Sequence, residues 1–152
     1  MSGVGPVLLL TAVLSGVAMA ITAWRVTRVD AADPGRLIGE LRVGQWAAIL
    51  LAAAGALPIG ISVAASGAAL AAPDVAIGFI IVGVAGLTLQ RDPRDGLLLA
   101  AGGFLLHALV ALAHRPGWLP TDFEPRWFVI GAATYDVWIA AVCYLARSGG
   151  RS

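Results

Sequence analysis

The chain has 152 residues, of which 59% are hydrophobic and 12% are charged. This length suits one domain, and a mean hydropathy of +0.87 is far from the composition of a soluble globular protein. The formal net charge of +1 gives no reason to expect a nucleic-acid partner or an acidic one. Cys143 is the single cysteine, which excludes an internal disulfide and a metal site built on paired cysteines. The composition predicts an all-α integral membrane protein.

Long apolar stretches predict one transmembrane domain, residues 1–152, that contains a bundle of about five helices. A hydrocarbon core of about 30 Å requires about 20 apolar residues in a helix, and four of the stretches approach that length. The third is the shortest. The predicted spans are approximately 4–24, 43–65, 75–90, 97–114 and 127–146.

The first span carries no charge and is followed directly by Arg25 and Arg28. A secretory signal peptide is the alternative interpretation, because residues 18–20 are similar to a cleavage site. A signal peptide, however, expects a basic residue before its apolar core, and none precedes this one. We therefore favour a retained helix, with removal of residues 1–20 as the alternative.

The ten basic residues are all arginines, and their positions predict the orientation of the spans. With the N-terminus outside, eight of them fall on the inner side and two, Arg115 and Arg126, fall on the outer side. Basic residues concentrate in cytoplasmic loops, so the count favours N-terminus outside and C-terminus inside. The membrane expected is a bacterial-type inner (plasma) membrane.

The first inner connection, residues 25–42, contains an Asp33-Pro34 pair that is typical of a helix start. We expect a short surface helix there, leading into the second span. The arginines of this connection are interpreted as a solvated loop with ordinary topology charges. Binding of lipid phosphates by these arginines is the alternative.

Small residues in the second span predict a close helix contact. They recur at every fourth position, on one helix face: Ala48, Ala52, Ala56, Gly60 and Ala64. Faces of this kind let membrane helices approach each other closely. Gly103 and Ala140 lie on comparable faces of the fourth and fifth spans, and Pro58 is expected to kink or loosen the second.

The last two spans place a histidine and an aspartate at matching depth. His107 lies eight residues before Arg115, and Asp136 lies nine residues after Trp127. At about 1.5 Å rise per residue, both lie roughly 12–14 Å below the same surface, near the middle of a hydrocarbon core about 30 Å thick. Asp136 is the only acid within a predicted span. We therefore hypothesise a contact between His107 and Asp136, direct or through one water.

Two roles for this pair follow from its chemistry. Burial favours the neutral form of each group while the partner favours charge, so the pair can exchange a proton. The other role, which we favour, is a polar clasp that fixes helix packing, because no second acid deeper in the membrane indicates a proton path. Thr134 and Tyr135 are neighbouring hydroxyls that could support the pair, although Tyr135 points about 100° away from Asp136 around the helix.

His107 and His114 are candidate ligands for a haem or a pigment. They are seven residues apart, about two helical turns, so they share a face and are separated by roughly 10 Å. That distance is too great for joint binding of one metal ion, whose bonds to nitrogen are about 2 Å. Each could ligate its own haem or chlorophyll-type pigment, with the second ligand from another chain. The favoured expectation is that no cofactor and no metal binds.

The chain contains no HExxH motif, no phosphate loop and no paired acids within one span, so an enzyme is not the favoured class. The favoured function is a structural or accessory subunit that packs in the lipid bilayer as a homo-oligomer or within a larger membrane complex. One alternative is a small transporter or proton-coupled protein that uses Asp136 and His107. Another is a haem- or pigment-binding subunit that uses His107 or His114.

Overall fold

The computed structural model describes residues 4–65, 72–113 and 126–149. Within these ranges the chain forms five helices and no strand. In chain order they are α1 (Val4–Thr27), α2 (Pro34–Ala65), α3 (Ala72–Leu89), α4 (Pro93–Ala113) and α5 (Arg126–Ser148). Each predicted span corresponds to one of these helices, and the all-α prediction is confirmed.

Asp-Pro pairs begin two of the helices, as the sequence indicates. The Asp33 Oδ1 accepts a hydrogen bond from the Gly35 N–H at 2.7 Å, and Pro34 is the first residue of α2. Proline suits this position because the first N–H groups of a helix have no partner within it. The expected short surface helix is the beginning of α2 itself, which continues to Ala65. Pro93, which follows Asp92, is likewise the first residue of α4, and the Gly96 N–H donates to the Asp92 backbone carbonyl at 2.8 Å.

Four helices, α1, α2, α4 and α5, are long and apolar enough to cross a membrane. The apolar part described for α3, Asp74–Leu89, is shorter, in line with the short third span. Large apolar side chains cover the outside of the bundle, where Leu10, Leu109 and Leu145 are at least 61% exposed. Such a surface suits hydrocarbon rather than water, which indicates a membrane protein.

Glycines bring α2 and α3 into backbone contact. A Cβ atom on Gly78 would lie 2.6 Å from the Gly55 carbonyl oxygen, so no larger side chain fits there. Gly103 on α4 is enclosed in a similar way, because its Cβ would lie 2.6 Å from the Leu51 Cδ2. Ala140 on α5 is also buried. Small residues therefore set how closely these helices pack.

The predicted face of small residues on α2 is divided between the inside and the outside of the bundle. Ala48 is buried and Ala52 is half-buried, whereas Ala56 and Gly60 are exposed. Nothing lies within 4 Å of a Cβ built on Gly60. The side chain of Ala64 lies outside the described residues. The close contact with α3 runs through a glycine on another face of α2, so the C-terminal part of the predicted face is turned outward.

Candidate functional site

His107 on α4 and Asp136 on α5 are in direct contact. The His107 Nδ1 lies 2.6 Å from the Asp136 Oδ2, within hydrogen-bonding distance. Asp136 is 1% exposed, and the imidazole is largely buried. The two helices run in opposite directions and bring these residues to one level, which the sequence predicts from their equal depth. A carboxylate enclosed in this way depends on its partner, because an unpaired buried charge is strongly unfavourable.

One side of the His107–Asp136 pair borders a cavity of about 320 Å³. All five helices contribute to its wall, and most of the lining side chains are apolar. Polar side chains occur at six lining positions: Thr11, Ser15, Asp74, His107, Tyr135 and Asp136. A concave, mostly apolar space with a few converging polar groups is the usual form of a site for a small molecule.

The two hydroxyls predicted to support the pair differ in position. Tyr135 lines the cavity, its hydroxyl lies 3.3 Å from the Ser15 Oγ, and its ring packs edge-on against Trp138. The Thr134 side chain is exposed and donates a hydrogen bond to the Ile130 carbonyl at 2.8 Å. Tyr135 is therefore available to a molecule in the cavity, whereas Thr134 is turned away from it.

Asp74 is a cavity residue that the sequence interpretation missed. The expected third span begins at residue 75, which leaves Asp74 in the preceding connection. In the structure α3 begins at Ala72, and Asp74 lies in its first turn and lines the cavity. Pro73 was the signal that could have extended the helix, because proline is common in a first helical turn. A second acid therefore accompanies Asp136 on the cavity wall.

Pro58 lies inside α2 and lines the cavity together with Ala54. Proline has no N–H, so the carbonyl of Ala54, four residues earlier, loses its helical hydrogen bond. The sequence predicts that this carbonyl is freed. The structure adds that both residues belong to the cavity wall, next to the space in which a ligand or water could provide a donor.

One of the two candidate haem or pigment ligands lies in the described residues. His107 lines the cavity, and because its Nδ1 contacts Asp136, its Nε2 is the ring nitrogen left for a second partner. His114 lies outside the described residues. Within residues 4–65, 72–113 and 126–149, no group of three or more His, Cys, Asp or Glu side chains could hold a metal ion. Haem or pigment ligation stays a prediction.

A second set of buried charges lies where α2 and α4 begin. Glu40 is 1% exposed and accepts hydrogen bonds from the Arg36 Nε at 3.0 Å and from the Arg94 Nε at 3.1 Å. We call these three side chains the arginine–glutamate network. The interpretation of residues 25–42 as a solvated loop is wrong for Arg36, which is 3% exposed. A helix that starts at Pro34 puts Arg36 and Glu40 one turn apart on the same face, which favours their pairing.

Comparison with known proteins finds no matching family model, no matching curated protein and no matching solved structure. The class of protein is therefore defined by the fold and the site alone. The described part of the chain is a helical bundle in which four helices are long and apolar enough to cross a membrane. It contains a cavity beside a buried histidine–aspartate pair.

Proposed function

We propose that the protein is a small multi-pass membrane protein that binds a small, largely apolar solute in the cavity and exchanges a proton through His107 and Asp136. The observation that carries this proposal is that the pair borders the cavity. A solute held there is next to an imidazole and a carboxyl group, two side chains that can bind or release a proton, as a proton-coupled transporter requires.

The cavity is the reason why we rank a polar clasp, in which the pair only fixes helix packing, below proton exchange. A pair that only fixed helix packing would be expected to be enclosed by side chains, because protein interiors are close-packed. Here both residues line the cavity, and the His107 side chain is 12% exposed. The His107 Nε2 is not used in the contact with Asp136, so it is the atom of the pair proposed to meet a polar group of a solute or a water molecule in the cavity.

The proposed setting is a bacterial-type inner membrane, with the N-terminus outside and the C-terminus inside. The distribution of eight arginines on the inner side and two on the outer side supports this orientation. The cavity is built from the first parts of α1, α3 and α5 and the last parts of α2 and α4. Those parts lie nearer the outside in this orientation, so the solute is proposed to enter from outside.

Thermal unfolding of the protein in lipid nanodiscs tests solute binding. A panel of small amines, carboxylic acids and neutral alcohols should include compounds that raise the Tm, since binding to the folded state stabilises it. Ala132→Phe should abolish the rise, because Ala132 lines the cavity. Ala141→Phe, on the exposed side of α5, is the matched control and should keep it. A panel without effect on the unmodified protein, or equal responses of the two variants, would reject the proposal.

A second candidate function, a subunit of a homo-oligomer or larger complex, is favoured by the outer face of α2. Ala56 and Gly60 are exposed there, and open space lies beside Gly60, so another helix could approach closely. Disulfide cross-linking of Gly60→Cys in a Cys143→Ala background tests this, with the exposed Ile49→Cys as control. A dimer formed through residue 60 and not through residue 49 supports packing along this face. Absence of both dimers argues against it.

A further inference from the structure

The arginine–glutamate network carries more positive charge than its carboxylate neutralises. The Glu40 Oε1 accepts from the Arg36 Nε and, at 3.4 Å, from the Arg94 Nη2, while its Oε2 accepts from the Arg94 Nε. Both carboxylate oxygens are therefore engaged by arginines. Two guanidinium charges against one carboxylate leave a net charge of +1 on these three side chains.

Two buried arginine nitrogens at this end of the bundle have no hydrogen-bond partner among the described residues. In Arg36, Nε contacts Glu40 and Nη1 donates to the Val29 carbonyl at 2.9 Å, but Nη2 is buried without a bond. The Nε of Arg147, near the end of α5, is in the same condition. A buried donor without an acceptor is unfavourable, and each such group in a native protein requires an explanation.

Arg147 lies at the same end of the bundle as the network. The end of α5 packs against the end of α1, because a Cβ built on Gly149 would lie 2.8 Å from the Thr27 Cγ2. Arg36 in turn donates to Val29, two residues beyond Thr27. The Arg36 side chain and the end of α5 therefore both lie beside the turn that joins α1 to α2.

The acidic residues at this end do not supply the missing acceptors. Asp30 and Asp33 each accept a backbone N–H within their own turn. Asp92 and Asp95 are exposed. In the described ranges, no ion pair joins any of these four carboxylates to an arginine. Since no acidic side chain among the described residues supplies these acceptors, we consider an anion from outside the chain as their source.

The surroundings indicate a lipid as the source of this anion. Leu37, Ile38 and Leu41 follow Arg36 on α2 and are at least 45% exposed, which gives acyl chains an apolar surface on the outside of the same part of the helix. The Arg94 side chain is 47% exposed, so a headgroup can reach it. In the proposed orientation this end lies at the cytoplasmic surface, where anionic lipids attract basic side chains.

We propose that the arginine–glutamate network, together with Arg147, binds the phosphate group of an anionic phospholipid at the inner end of the bundle. A phosphate matches the planar guanidinium group because its oxygens accept two parallel N–H bonds. Arg94 is the side chain that the headgroup meets first. Arg36, which shares the Glu40 carboxylate with Arg94, and Arg147, at the same end of the bundle, carry the donors that lack an acceptor among the described residues.

Thermal unfolding of the full chain in a neutral detergent tests this site. Phosphatidylglycerol is compared with phosphatidylcholine of the same acyl chains, and inorganic phosphate is added at matched ionic strength. Phosphatidylglycerol is expected to raise the Tm by about 3 °C more than phosphatidylcholine, and inorganic phosphate is expected to leave it unchanged. Arg94→Gln should remove the difference between the lipids. Arg91→Gln, which neutralises an exposed arginine in the same turn, should keep it.

Several results would overturn the proposal. One is an equal response of the unmodified protein to both lipids, and another is a full phosphatidylglycerol response in Arg94→Gln. A Tm rise from inorganic phosphate as large as that from phosphatidylglycerol would overturn the assignment to a lipid. If Arg94→Gln does not fold, native mass spectrometry of the unmodified protein decides. Preferential retention of phosphatidylglycerol supports the site, and equal retention of the two lipids overturns it.

Discussion

Among the described residues, the carboxylates of Glu40 and Asp136 are both fully buried but have different partners. Glu40 is held by the guanidinium groups of Arg36 and Arg94, and arginine keeps its charge throughout the physiological pH range. Asp136 is held by His107, whose imidazole, unlike a guanidinium group, exists in a neutral and a charged form. The arginine–glutamate network is thus a permanent structural contact. In the proposed function, the His107–Asp136 pair changes its charge state when a solute or a proton arrives in the cavity.

Asp136→Asn should separate proton exchange from helix packing. Asparagine keeps the size of the side chain and a hydrogen bond to His107, but it cannot take up or release a proton near neutral pH. We expect Tm to change by only a few degrees and proton movement to be lost. The measurement is the fluorescence of a pH-sensitive dye inside proteoliposomes when a Tm-raising panel compound is added outside. Proton movement at the unmodified rate in Asp136→Asn would show that the pair is only a clasp.

Glu40→Gln should be far more disruptive than a change at an exposed acid. Removing the charge leaves Arg36 buried without its counter-ion, and breaking a buried pair costs about 3 kcal/mol. Asp95→Asn, at the exposed start of α4, is the control and should cost less than about 1 kcal/mol. The free energy of unfolding in an SDS titration measures both. Equal losses in the two variants would contradict the assigned role of Glu40.

At the scale of the helices, packing depends on where glycines allow backbones to meet. Gly55 and Gly78 lie where α2 contacts α3, and neither has room for a methyl group. Gly83, also on α3, has nothing within 4 Å of its Cβ position. Gly78 is needed for the contact with α2, and Gly83 is not. Because replacing either glycine by alanine changes helix propensity in the same direction, a difference in stability between the two variants reports the helix contact.

Gly78→Ala should destabilise the protein, whereas Gly83→Ala should not. The new methyl group at residue 78 would lie 2.6 Å from the Gly55 carbonyl oxygen, and forcing the helices apart costs about 1–3 kcal/mol. At residue 83 alanine meets open space and favours the helix by up to about 1 kcal/mol. Unfolding in an SDS titration compares the two. A larger loss at residue 83 would rule out the close α2–α3 contact.

The helices could be predicted from the sequence because their signals are local. Apolar length gives each span, and Asp33-Pro34 correctly marks the start of α2. His107 and Asp136 could also be placed at the same depth, because the two helices that carry them are consecutive in the chain and run in opposite directions. The sequence did not predict the cavity, because a cavity is the space left by all five helices and depends on how each is rotated about its axis. The choice of Gly55 rather than Ala56 for the α3 contact depends on the same rotations.

At the scale of the whole molecule, the two polar sites lie toward opposite ends of an apolar bundle. The cavity is formed near the beginning of α1, α3 and α5, and the arginine–glutamate network is formed where α2 and α4 begin. In the proposed orientation the network faces the cytoplasm and the cavity faces the outside. In this arrangement the inner end would bind an anionic lipid, and the outer end would bind the solute and exchange a proton.

Thiol labelling in a Cys143→Ala background tests the cavity and its orientation together. Ala111→Cys places a thiol on the cavity wall, and Leu109→Cys places one on the outer surface of the same helix. A membrane-impermeant thiosulfonate added outside should label residue 111 and not residue 109, because the reactive thiolate forms in water and not in hydrocarbon. Absence of labelling at residue 111, or equal labelling at both, would contradict a cavity that opens to the outside beside His107 and Asp136.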